Sequence, residues 1–582
     1  MADADSLVHL LEVHLGDQND AGRRRSRRKE EKWENEIMIT ADKEYSSQKN
    51  KKKARRVVIQ LLILAALASV VYFAIFTTEA YRPYDESAVS MSRDKGFVAI
   101  SYSGVDRTAN ERQISEEMLA KHLAALSRHG YVTISQKDIT DFYESGKSLP
   151  SKSLFLLFED GRRNTAIFSA RETERFNFLA TMSSFAENTV RKHPTFLRPK
   201  DLESMLETGF WELGTNGNRL VYINVTDESG TFIKEVSART QKNLQPSLWQ
   251  SYSYYMTDYL RDGQGKPAET KDMLGQRLSG EYEALRTGYT EALGALPQLH
   301  VFFTANSGRF GKNDDAGKIN EQWLKNLFRI NFSREGKALN NRKQNVYELT
   351  RLQVQPHWQT NHLLMRLRDE TGEEVLFNRG EEKRYGLWRL EAGAAEFLPE
   401  KIVLTSPPEK SGRLRLEAIG EAADLKVAAT LSGHRQGKQK MYLRLDKEGK
   451  NFISAGIIND ILFLREQTGR TERDLFVQKL PREGDGLFDF GGRGNKAYAI
   501  AIELKGDKAR LLLAGKEIYS GTVRHTGAGA VALESAWNSF GSAKPGPIDN
   551  VYDGIFERLK VTGLNADGTE KVLYDDEMQG LE

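Results

Sequence analysis

Cysteine is absent from all 582 residues, which removes disulfides, thiolate metal ligands and a cysteine nucleophile together. Histidine is scarce, at 10 residues, so few imidazoles are on hand for a metal. An excess of one charge is also missing from most of the chain. The first 56 residues carry 14 Lys+Arg and 11 Asp+Glu, which leaves 70 of each sign beyond them. That balance argues against an electropositive nucleic-acid surface. Long apolar runs are lacking with one exception, Val57 to Thr78, which has no charged residue.

As a helix that exception spans about 33 Å at 1.5 Å per residue, enough to cross a hydrocarbon core. Lys51, Lys52, Lys53, Arg55 and Arg56 stand before it, and Glu79 and Asp85 follow. The basic flank belongs in the cytoplasm, and the C-terminal bulk outside. A cleaved signal peptide is excluded by an n-region of more than 50 residues. The expected arrangement is a basic cytoplasmic tail (1–56), a transmembrane helix (57–78) contacting the lipid bilayer, a linker (79–95) and extracytoplasmic domains. Within the tail, Arg23 to Lys29 form a second basic run suited to anionic lipid. Leu7, Leu10, Leu11 and Leu15 keep the spacing of a short amphipathic helix.

With 39% hydrophobic and 28% charged residues, the remainder is enough for two or three globular domains. Beyond Gly96, FVAISY (Phe97–Tyr102) reads as a buried strand. Met118, Leu119, Leu123 and Leu126 keep helical spacing, Gly130 suits a helix end, and YVTIS is extended. LFLLF (Leu154–Phe158) is then a buried strand running straight into Glu159, Asp160 and Gly161. Carboxylates at the C-terminal end of such a strand lie where α/β sheets and barrels build their sites.

The order strand, helix, GYVTIS, SLFLLFEDG resembles the NodB-type polysaccharide deacetylases, whose strand ends in Thr-Phe-Asp-Asp-Gly. The resemblance covers about Gly96 to Arg366 and implies a distorted (β/α) barrel. It further implies that Glu159 takes the general-base position and Asp160 the position of a ligand to a divalent metal, zinc or similar. The family's other two ligands are histidines following a stretch like Glu-Ile-Gly-Asn. Here the corresponding text is WELGTNGNRL, and the two positions fall on Asn216 and Leu220. Both imidazoles are gone, so no cofactor is expected unless the site has been rebuilt, and Arg162, Arg163 or Arg219 is placed to neutralise Asp160 instead. His300, His357 and His362 lack the local spacing of a ligand pair. Ala305 to Gly311 lies where the family carries a loop lining its sugar site.

Residues 226–297 read as a helical insertion, with Leu274, Leu278, Tyr282, Leu285, Tyr289 and Leu293 on one stripe. Trp249, Tyr252, Tyr254, Tyr255 and Tyr259 cluster just upstream, as core or as a stacking surface for sugar rings. The barrel domain is thus expected over 96–368. From 369 to 582 the helical period disappears, and short alternating runs such as YAIAIEL indicate an antiparallel β-sandwich. This part resembles concanavalin-like jelly-roll modules, which are often carbohydrate-binding, and Trp537, Tyr552 and Asp553 are its candidates for sugar contact.

The expected fold is therefore an α/β distorted (β/α) barrel plus an all-β jelly-roll sandwich, with one N-terminal transmembrane helix. The expected function is a membrane-anchored polysaccharide deacetylase-like protein that acts on or binds an exopolysaccharide or peptidoglycan-type glycan. If active, it is a metal-dependent deacetylase; otherwise it is a non-catalytic glycan-binding scaffold beside a membrane polysaccharide synthase. A glycosidase would need a second acid at the right distance from Glu159.

Overall fold

The computed structural model describes residues 33, 38, 40, 53–69 and 80–577, except 111, 192, 227–230, 237–250, 304–309, 435–436, 481–496, 538–548, 566 and 568. Two compact units are present, Met1–Glu79 and Ala80–Glu582. In the first, residues 53–69 are helical, and Val57, Leu61, Ile63 and Leu64 are exposed. Among the described residues no helix is long and apolar enough to cross a membrane. Residues 70–78, the end of the apolar run, lie outside the described set, as does the amphipathic stretch Leu7–Leu15.

The second unit begins with a closed barrel of seven parallel strands. They are β1 (Phe97–Tyr102), β2 (Ser153–Phe158), β3 (Ala180–Ser184), β4 (Trp211–Thr215), β5 (Leu299–Val301), β6 (Ile330–Glu335) and β7 (Leu349–Val354). Each pairs with the next in chain order, and β7 returns to β1 with Leu352 opposite Ile100. Alternation within β1 and β2 explains the closure. Val98, Ile100 and Tyr102 pack outward on α1 (Glu116–Arg128) through Leu119, Leu123 and Leu126. Phe97, Ala99, Phe155 and Leu157 meet Leu299, Val301, Phe332 and Leu349 from the far strands. The interior is thereby a packed core, with the Phe155 and Phe332 rings stacked at 5.6 Å. Strands buried on both faces read as unbroken apolar runs, which is why FVAISY and LFLLF stand out in the sequence.

Helix ends follow local chemistry. Ser115 caps α1, and Gly130 just beyond it takes φ +77°, a left-handed helix exit. α2 (Gln136–Glu144) opens with a Ser135–Asp138 capping box. α3 (Arg163–Arg175) follows the β2 strand end. The insertion contributes α4 (Lys271–Leu293), capped by Thr270, with Leu274, Leu278, Tyr282, Leu285 and Tyr289 all buried along the expected stripe. Upstream of it Ser251–Tyr254 pairs with Tyr222–Thr226. α5 (Asp314–Leu327) and α6 (Thr360–Thr371) complete the barrel's outer layer.

α6 runs through residue 369, and Trp388–Ala392 is the first long strand of the following module. There, one antiparallel sheet of seven strands and another of eight share a single core that includes Leu414, Leu443, Leu533, Ile502 and Val561. In Tyr498–Lys505, Ile500, Ile502 and Leu504 are buried and Ala499, Ala501 and Glu503 face outward.

Candidate active site

The C-terminal end of β2 delivers its two carboxylates to different places. Glu159 extends the β1–β2 ladder, its N–H donating to the Tyr102 carbonyl at 2.9 Å, so its side chain continues the inward face of Phe155 and Leu157. There it meets Arg351 from β7. Arg351 Nε is 2.5 Å from Glu159 Oε1 and Nη2 is 3.0 Å from Oε2, and both side chains are 0% exposed. Arg351 Nη2 also donates to the Phe302 carbonyl at the end of β5. The bidentate guanidinium occupies two of the carboxylate's lone-pair sites and fixes its position. Arg351 was not among the residues singled out from sequence. Its one signal is an arginine inside the otherwise alternating strand LTRLQV, which a barrel interior accepts only with a buried counter-charge.

Asp160 turns the other way because its backbone is left-handed, φ +75°, followed by Gly161 at φ +63°. Such a conformation costs energy for a non-glycine residue and is held by the surrounding packing. Its carboxylate lies 2.6 Å from Arg162 Nε, and the Arg162 guanidinium stacks over Phe196 at 5.2 Å. Burial pushes the Asp160 carboxyl up to about 6, with Arg162 offsetting part of that rise. Of the three arginines considered from sequence, Arg162 takes this role. Arg163 lies 3.6 Å from Asp201 and Arg219 pairs with Glu281 on α4.

The β4 end brings Asn216 to Asp160, whose N–H donates to Asn216 Oδ1 at 3.2 Å. The other end of that amide, Nδ2, is buried and has no hydrogen-bond partner among the described residues. Leu220 offers only an aliphatic side chain. Asp160 is thus held by a guanidinium, the Asn216 oxygen is turned to a backbone amide, and the third position has no donor atom. This set does not fit the metal that the family resemblance implies. Among the described residues no three His, Asp or Glu side chains are grouped to hold a metal ion. His300 adds a single imidazole at this end of the barrel. Its Nδ1 is 2.7 Å from Asn331 Oδ1, and burial lowers its pKa to about 4.

Beside Asn216 a cleft opens between the β4 end and the insertion, lined by Phe185, Asn216, Arg219, Tyr255, Glu281 and Phe303 among others. Arg219 Nη2 is 2.6 Å from Glu281 Oε1 and Asn218 Nδ2 is 2.8 Å from Oε2, so α4 pins the loop that would carry the missing histidines. The Arg219 and Arg277 guanidinia lie 5.3 and 4.3 Å from the Tyr255 ring centroid. The cavity volume is about 30 Å³, room for one water. Residues 305–309 of the expected sugar-site loop, together with Trp249, lie outside the described set.

Of the sandwich candidates, Asp553 faces the barrel, while Tyr552 and Trp537 bond within the sandwich. Asp553 accepts from the Gln359 N–H (2.9 Å) and the Thr405 hydroxyl (2.7 Å) and bonds His362. Tyr552 is 1% exposed, and its hydroxyl donates to the His434 carbonyl. Trp537 is half-buried with Nε1 donating to Val551 O at 2.6 Å.

No protein-family model matches the chain, and no curated protein matches it in sequence. Solved structures are similar in fold to parts of it. A de-N-acetylase from Aggregatibacter actinomycetemcomitans is similar over 44% of this chain and 94% of its own, at 17% identity and a TM-score of 0.34. The BpsB deacetylase domain from Bordetella bronchiseptica covers 46% of this chain and 97% of its own, at 13% identity and a TM-score of 0.34. The carbohydrate-binding module CBM66 from Bacillus subtilis is similar over 30% of this chain and 94% of its own, at 14% identity and a TM-score of 0.23.

Proposed function

We propose that this chain is a membrane-anchored, extracytoplasmic protein with a polysaccharide deacetylase-like barrel that binds an exopolysaccharide or wall glycan without deacetylating it. The observation that carries this reading is the double neutralisation at the β2 end, Arg351 on Glu159 and Arg162 on Asp160. Deacetylation by the family mechanism needs a free carboxylate base and a metal-activated water. Each carboxylate is paired with a guanidinium, and the donor set around Asp160 lacks its nitrogen ligands. The ligand class comes from the resemblance of SLFLLFEDG and its neighbouring elements to NodB-type deacetylases. Phe303 and the part of the Tyr255 ring left by the Arg219 and Arg277 guanidinia line the cleft as stacking surface. Arg219, Asn218 and Glu281, bonded to one another, have their remaining donor and acceptor sites for hydroxyls. Anchoring is supported by the uncharged run Val57–Thr78 behind five basic residues. The amphipathic stretch Leu7–Leu15 is suited to recruiting a membrane polysaccharide synthase.

The test is calorimetric titration of the full chain in detergent with zinc, beside an Asp160→Ala variant, followed by deacetylation and binding assays on N-acetylglucosamine oligosaccharides. The expected result is no stoichiometric zinc, no acetate release and measurable oligosaccharide binding. One zinc per chain that disappears with Asp160→Ala, accompanied by acetate release, overturns the reading.

A further inference from the structure

Between the barrel and the two-sheet module lies a single imidazole bonded to carboxylates at both nitrogens. His362, in the first turn of α6, places Nδ1 3.0 Å from Asp553 Oδ2 and Nε2 3.0 Å from Asp549 Oδ1, and its side chain is 0% exposed. Neutral imidazole carries one N–H, and an ionised carboxylate only accepts, so both contacts are hydrogen bonds only when the ring holds two protons. The surroundings favour that state. The Trp358 indole stacks on the ring at 4.3 Å, and its Nε1 donates to Asp549 Oδ2 at 2.8 Å. Asp553 is held on its own side by Thr405. The other charged or titratable groups facing the cluster are Arg366, 3.5 Å from Asp549; His357, whose Nε2 is 4.0 Å from it; His434, its ring tilted against His357 at 5.0 Å; and His122 on α1 and Glu396, which feel its charges. Burial keeps His357 and His122 neutral, so the positive charges at Asp549 are His362 and Arg366.

We propose that His362 is a protonation-dependent latch: as imidazolium it clamps Asp549 and Asp553 of the sandwich to α6 of the barrel, and as neutral imidazole it releases one of them. Release leaves one buried carboxylate short of a donor, Asp553 keeping the Gln359 N–H and the Thr405 hydroxyl and Asp549 keeping Trp358 Nε1 and Arg366. This weakens the clamp and favours parting of the two modules so that water reaches the under-bonded oxygen. The two carboxylates outweigh burial and hold the imidazolium up to about 9. This folded value lies above the ordinary histidine range near 6.5. The latch therefore contributes fully below about pH 6.5 and is lost as pH rises through 9. On the acid side, His362 and Arg366 hold Asp549 well below the usual carboxylate range, so closure persists until strong acid.

The absence of cysteine permits a direct test on the full chain in detergent. Histidine ring nitrogens labelled with ¹⁵N are followed by NMR, with His362 assigned by its loss in His362→Gln. Both His362 nitrogens are expected to be protonated at pH 7.5, with a midpoint near pH 9; a midpoint at or below 7 overturns the proposal. In parallel, spin labels at Ile167→Cys on α3 and Val477→Cys on the sandwich, 65% and 51% exposed at the native residues, report the distance between modules. The expected result is one narrow distance at pH 7.5 that broadens above pH 9, and at pH 7.5 in His362→Gln. A distance that stays narrow to pH 10.5 in the parent chain overturns it, whether or not the variant folds.

Discussion

Arg351 and Glu159, 192 residues apart in sequence, close on each other inside the barrel with no exposed surface on either side chain. Removing one member of such a pair leaves an uncompensated buried charge, whereas replacing both by apolar groups of similar size does not. Glu159→Gln and Arg351→Met are each expected to lower stability by roughly 3–5 kcal/mol. The double variant Glu159→Leu/Arg351→Met should lose less than either, a non-additivity that urea denaturation reads directly.

Asp160 carries a sign that can be checked by pH. Its carboxyl titrates at about 6 in the folded chain against an ordinary 3.8, so the folded state holds the proton more tightly than the unfolded state. Stability from this group therefore falls as pH rises from 3.8 to 6 and stays lower above it. Asp160→Asn removes that cost. It should raise stability at pH 7.5 by about 1–3 kcal/mol and leave it nearly unchanged at pH 3.5, measured by denaturation at the two pH values.

The turn that separates the two carboxylates depends on Gly161. It sits at φ +63°, and a Cβ there would lie 2.4 Å from Ser184 Cβ. Gly161→Ala is expected to cost more than about 2 kcal/mol, from strain and overpacking together. Gly263→Ala, where a Cβ meets nothing within 4 Å, should stay within about 0.5 kcal/mol. Parallel melting curves give the comparison.

Tyr255 tests the glycan-binding cleft separately from the buried ion pairs. Tyr255→Ala is expected to weaken N-acetylglucosamine oligosaccharide binding about tenfold, or about 1.4 kcal/mol, while Tyr255→Phe keeps the ring and most of the affinity. Equal affinity in all three proteins by calorimetry would remove the cleft from the site.

What the sequence by itself determined is the set of elements and their faces. FVAISY, LFLLF, the α1 spacing, the α4 stripe and the alternation of YAIAIEL each follow from a burial period confined to a few neighbouring residues. That Asn216 and Leu220 fall at the family's two histidine positions rests on the resemblance of WELGTNGNRL to the family motif, not on a burial period. Only the tertiary structure decided which charge meets which. Arg351 reaches Glu159 because closing seven strands brings β7 against β1, whose other neighbour is β2. Arg162, rather than Arg219, serves Asp160 because α4 holds Arg219 through Glu281. Asp553, named from sequence as a candidate sugar contact, is bonded to His362 across the junction of the two modules. Periodicity records how deeply a residue is buried, but a charge's partner is set by chain closure over hundreds of residues, to which local pattern is blind.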